Sequence, residues 1–114
     1  MTKGIYTANG AMRIATDDCN YETVAASQTD QVLGPTGAKG DLLSGLLVVP
    51  TSKSPGAVSI KDDGGSAITV FAGGTDSLAT LHSFYVPINA VSLSGAWKVT
   101  TGANVSVFAT GNFT

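Results

Sequence analysis

Charge is what this sequence has least of. Asp, Glu, Lys and Arg make up 12% of its 114 residues, against roughly 25% in ordinary soluble domains. The six Lys and Arg stand singly along the chain, so there is no basic stripe to follow a phosphate backbone, and direct binding of nucleic acid is not expected. Cysteine is nearly absent as well. A single one, Cys19, rules out an intrachain disulfide and reads as a reduced thiol, which leaves stability to burial and assembly. The one histidine, His82, is the only available base for a nucleophile triad. It lies in an alternating run between Leu81 and Ser83 and reads as a partly buried or interface side chain. Long apolar runs are also missing. The longest, Leu46-Leu47-Val48-Val49, is far short of the ~20 residues of a membrane-spanning helix, so no membrane role is expected. Residues 1–6 hold no apolar stretch of secretory length, which predicts synthesis and folding in the cytoplasm.

What is present is a β grammar. From Gln31 onward, short runs of β-branched and aromatic residues are separated by Gly, Pro, Asp, Asn and Ser clusters at roughly 8–12-residue spacing, the pattern of a sandwich. Ala57-Val58-Ser59-Ile60-Lys61 alternates, turns at Asp62-Asp63-Gly64-Gly65 and resumes in Ala67-Ile68-Thr69-Val70-Phe71. This predicts a hairpin with Val58, Ile60, Ile68 and Val70 on its buried face. Ala96-Trp97-Lys98-Val99-Thr100 and Asn104-Val105-Ser106-Val107-Phe108-Ala109 predict a second hairpin, with Trp97 and Val99 meeting Val105 and Val107. Residues 80–86 read as an interior strand ended by Pro87. Residues 42–49 are apolar on both faces and are expected to be the most buried strand, with Gly45 marking a bulge or a close backbone approach.

Residues 1–30 depart from this grammar. They are polar and carry four of the eight acids, Asp17, Asp18, Glu22 and Asp30. Two short scraps, Ile5-Tyr6-Thr7 and Met12-Arg13-Ile14, pair either with another chain or as outer strands of the same sandwich. The expected organisation is therefore an N-terminal arm or outer strands over 1–30 and a sandwich over 31–114. Ile5, Tyr6, Met12 and Ile14 are the candidate partner-binding residues.

Nothing in the pattern points to catalysis or to a cofactor. One Cys and one distant His cannot build a zinc site. Asp62 and Asp63 lack the alternating acids and the closing Glu of a calcium loop, and the turn explains them. Ala72-Gly73-Gly74-Thr75-Asp76 lacks the lysine and following helix of a phosphate loop. Trp97, Tyr85, Phe84, Phe71 and Phe108 read as core at strand spacing, with a sugar-stacking face as the competing reading.

Three phrases carry a resemblance: Val24-Ala25-Ala26-Ser27-Gln28-Thr29-Asp30-Gln31-Val32-Leu33-Gly34, then Thr36-Gly37-Ala38-Lys39-Gly40-Asp41-Leu42-Leu43, then Ser94-Gly95-Ala96-Trp97-Lys98-Val99-Thr100-Thr101-Gly102-Ala103. Over residues 23–113 the chain resembles small structural proteins of tailed bacteriophages, and among them head decoration (cement) proteins. The resemblance implies a jelly-roll or related antiparallel β-sandwich of seven or eight strands, almost without helix. It also implies a homotrimer on the outside of the capsid, with the major capsid protein as partner. Other virion roles, receptor or carbohydrate binding and a place in the neck or tail, are the alternatives.

Overall fold

The computed structural model describes residues 19–114 and, as backbone, two short N-terminal strands. In chain order the strands are β1 (Gly4–Tyr6), β2 (Met12–Ile14), β3 (Asn20–Val24), β4 (Gln31–Val32), β5 (Leu42–Pro50), β6 (Val58–Asp62), β7 (Ile68–Phe71), β8 (Phe84–Val91), β9 (Trp97–Thr101) and β10 (Val105–Asn112). There is no helix among the described residues. β1 and β2 pair antiparallel in a two-stranded sheet of their own. The remaining eight strands form two antiparallel sheets, β3-β10-β5-β8 and β4-β9-β6-β7, and the fold is an all-β sandwich.

One rule generates most of this order. Taking the β6–β7 turn as a fold line, each strand pairs with its mirror image: β6 with β7, β5 with β8, β4 with β9, β3 with β10. Two further ladders, β10 with β5 and β6 with β9, complete the sheets. The chain therefore changes sheet at every connection from β3 to β10 except the β6–β7 turn.

Alternation along the strands supplies the core. Val24, Leu46, Val48 and Val107 of the first sheet and Val58, Ile60, Trp97 and Val99 of the second belong to one buried cluster, each aliphatic side chain contributing about 1.5–3 kcal/mol by leaving water. Trp97 satisfies its indole by donating from Nε1 to the Asp41 carbonyl at 3.0 Å. Asp41 is itself buried. Its carboxylate accepts from the Ala38 N–H at 3.0 Å, the Thr114 N–H at 3.1 Å and Thr114 Oγ1 at 2.9 Å, which is how a buried carboxylate is made tolerable.

β5 is flanked on both sides, by β10 and β8, and both ladders shift register beside Gly45; the bulge expected there is present. The β6–β7 hairpin also forms. Its turn is closed by the Gly65 N–H to the Asp62 carbonyl at 2.9 Å, with Asp63 at φ 54°. Val58 and Ile60 are buried and Val70 packs against the core, but Ile68 is 54% exposed. Ile68 stands opposite Ile60, yet it begins the outermost strand of its sheet, where no further strand covers it.

Two other expectations are corrected. β9 and β10 form no hairpin, since they lie in different sheets. Residues 102–104 cross from one sheet to the other, so Trp97, Val99, Val105 and Val107 share the core from its two sides. The strand expected at 80–86 begins at Phe84, runs through Pro87 to Val91 and lies at the edge of the first sheet, not inside it. An edge strand tolerates the missing proline donor. A bulge follows at once: Leu43 faces Ala90 while Gly45 faces Pro87, and Asn89 takes up the extra residue at φ 54°. His82 consequently lies in the loop before β8, exposed, with Nδ1 3.0 Å from Thr80 Oγ1.

Candidate functional site

The two outer faces of the sandwich differ in chemistry. On the second sheet, Lys61 of β6 stands directly opposite Lys98 of β9. Like charges in that position repel, and each lysine is given its own carboxylate: Lys61 Nζ lies 3.2 Å from Asp30 Oδ2, and Lys98 Nζ 3.7 Å from Asp63 Oδ1. The hydrogen bond from Lys61, helped by its charge, holds the Asp30 carboxyl below the usual carboxylate range. Asp62, at the end of β6, accepts from the backbone N–H of Leu93 at 2.7 Å and of Ser94 at 3.1 Å. Those donors, Leu93 foremost, lower its pKa as well. The loop bearing the exposed Leu93 is thereby tied to the β6–β7 turn.

The outer face of the first sheet carries no charged side chain among the described residues. Strand alternation sends Tyr21 and Thr23 of β3, Ser106, Phe108 and Thr110 of β10, and Leu47 and Val49 of β5 to this side, opposite the buried Val24, Val107 and Val48. Tyr21 stacks on Phe108 with ring centroids 4.8 Å apart and planes 18° from parallel. Tyr85 of β8, in register with Leu47, reaches diagonally across β5. A Cβ placed on Gly45 would collide with its ring and hydroxyl, so the phenol lies across the sheet in the space that glycine leaves open. A row of cross-strand neighbours runs beneath, with Tyr21 opposite Thr110 and Thr110 opposite Gly45. Where β3 leaves the sheet after Val24, a groove of about 370 Å³ opens among Leu47, Val49, Ser106 and Phe108.

The five aromatics singled out in the sequence are thus divided. Trp97 is core; Phe71 and Phe84 pack against that core and meet each other edge to face, with ring centroids 5.2 Å apart. Tyr85 and Phe108 belong to the outer face. Tyr21, 64% exposed, joins them and was missed, because β3 is a polar edge strand whose alternation is marked by Val24 alone. Glu22 of the same strand accepts from the Gly34 N–H at 2.9 Å and from Gln31 Nε2 at 2.8 Å, which fastens β3 to β4 and the residues just after it.

Of the candidate arm residues, Ile5 and Tyr6 lie in β1 and Met12 and Ile14 in β2, with Tyr6 opposite Met12, Ile5 opposite Arg13 and Ile14 opposite Gly4. Their side chains lie outside the described residues. Among the described residues no three His, Cys, Asp or Glu side chains converge, and no helix is long and apolar enough to cross a membrane. The described surface carries an uncharged aromatic face on one side and a compensated charge ladder on the other. Comparison with protein-family models, with curated proteins and with solved structures returned no match.

Proposed function

We propose that this chain is a decoration protein of a tailed-bacteriophage head, binding the major capsid protein on the outside of the shell as a homotrimer and acting without catalysis. The observation that carries the reading is the strand order. Eight strands paired as mirror images about one turn in two four-stranded sheets support the reading of two Greek keys rolled into a jelly roll. The sequence resemblance implies that architecture. β1 and β2 support the reading too: they pair outside both sheets, which leaves the segment bearing Ile5, Tyr6, Met12 and Ile14 for attachment to a neighbouring subunit or to the shell. Many weak clips at symmetric positions gain strength through multivalency, and low surface charge suits a domain that lies against protein.

The test is co-sedimentation with undecorated capsids. Full-length chain should pellet with the shells at many copies per particle, and a chain lacking residues 1–18 should bind much less while melting unchanged. Light scattering of the free protein should give a trimer mass. Failure of full-length chain to pellet with capsids refutes the proposal.

A further inference from the structure

We propose that the outer face of the first sheet is a binding platform for an extended, neutral, β-linked oligosaccharide. The inference does not depend on capsid attachment, because it rests on this face alone. Three observations converge on it.

The first is charge. Every charged side chain that the structure describes lies elsewhere: on the second sheet, in loops, or, for Glu22, turned to the Gly34 N–H. A ligand seated here meets no ion to pair with, so an anionic polymer gains nothing and a neutral one loses nothing to unpaired charge.

The second is the aromatic geometry. Tyr21 is 64% exposed and Tyr85 49% exposed, although both rings are fixed: Tyr21 by its stack on Phe108, Tyr85 by the berth over Gly45. Fixed, exposed, apolar ring faces are what the C–H faces of a pyranose stack upon, and holding them in advance spares the entropy of ordering them on binding. Tyr21 is two strands from Gly45 through Thr110, so the backbone of Tyr21 and the glycine beneath the Tyr85 phenol stand about 10 Å apart. That is comparable with the length of a disaccharide, so a straight chain can place alternate sugars on the two rings. A coiled α-linked chain turns away from one of them.

The third is what lies between and beside the rings. Thr23 and Ser106 supply hydroxyls that both donate and accept, the pairing that sugar hydroxyls need, while Thr110 Oγ1, which donates to the Gly45 carbonyl at 3.4 Å, keeps lone pairs to accept. The phenol hydroxyl of Tyr85 lies toward the same row, over Gly45. A protein-docking core excludes such groups from its centre and relies on a well-packed, desolvated anchor; here the hydroxyls interleave with the rings.

The experiment is isothermal titration of the full-length chain with cellohexaose, xylohexaose, chitohexaose and maltohexaose, repeated on Tyr21→Ala and Tyr85→Ala. Both positions are exposed, so circular dichroism should verify that the variants stay folded, and Ile68→Ala serves as a surface control off this face. At least one β-linked hexasaccharide should bind, and each tyrosine variant should weaken that association about tenfold, the equivalent of 1.4 kcal/mol, with Ile68→Ala unchanged. Absence of binding by all three β-linked sugars overturns the proposal, as does binding that survives the double tyrosine variant. If instead the wild-type chain self-associates and the double variant does not, the face is a protein interface and the proposal is equally overturned. Capsid co-sedimentation of the same variants should be unaffected, so a loss there speaks to attachment and not to sugar.

Discussion

Trp97 and Asp41 hold the end of the sandwich where the β4–β5 and β8–β9 connections meet. Asp41 accepts from Trp97 Nε1 through its carbonyl at 3.0 Å, and the same carbonyl takes the Ser92 N–H at 2.9 Å. Trp97→Phe keeps most of the apolar volume and removes one donor, so it should cost about 1–3 kcal/mol, read as a lower urea midpoint. The acids on the second sheet respond to pH. Asp30 and Asp62 both have folded pKa values below the ordinary ones, Asp30 through Lys61 and Asp62 through the backbone of Leu93 and Ser94. A depressed carboxyl stabilises the fold above its unfolded pKa of about 3.9, and that contribution is lost as pH falls through the lower folded value. The urea midpoint should therefore decline below about pH 4. An Asp30→Asn, Asp62→Asn double variant, already without the contribution at neutral pH, should decline less over the same interval. An equal decline in both proteins would assign acid lability to other carboxyls.

At the scale of elements, the informative case is the pair β9 and β10. Their alternation was plain in the sequence, and so was the inward set Trp97, Val99, Val105 and Val107. Alternation says which side chains face a core, but it does not say whether the next strand lies beside or across it. What decides is the connection. The crossovers β5–β6 and β9–β10 run side by side, joined by the Gly56 N–H to the Ala103 carbonyl and the Gly102 N–H to the Ala57 carbonyl, each 2.8 Å. Gly56 and Gly102 meet there so closely that a Cβ on either would come within 2.7 Å of the other's Cα. Gly102→Val should thus destabilise by roughly 1–3 kcal/mol through overpacking, measurable by thermal melting, whereas a simple hairpin turn at that position would accept it. By contrast, the β6–β7 hairpin and the bulge at Gly45 were legible because turn chemistry and a lone glycine in an apolar strand are local signals. Ile68 was misjudged for the complementary reason, since edge position belongs to the whole sheet. The outer aromatic face was legible only in part: Tyr85 and Phe108 were visible as aromatics at strand spacing, but their side depended on which strands flank β5.

For the whole molecule, the mirror pairing brings residues far apart in sequence together. β3 and β10, at opposite ends of the sandwich sequence, pair directly, with Asn20 Nδ2 reaching the Phe113 carbonyl at 2.8 Å. Within the sandwich, only the β6–β7 hairpin joins strands adjacent in sequence in one sheet. Folding should therefore be slow for the size, in the millisecond-to-second range of all-β domains, with a urea chevron as the measurement; microsecond folding would contradict the nested pairing. The fold also holds an optical consequence. Trp97 is the only tryptophan in the chain and is 5% exposed, so its emission reports the core and shifts to the red only when the core opens. Tyr21 and Tyr85 lie in the solvent-facing layer. In a Tyr6→Phe background, which removes the third tyrosine of the chain, quenching confined to the tyrosine band, with the indole band unmoved, would mark an event on the outer face alone, and the two colours would tell occupancy from unfolding in a single cuvette.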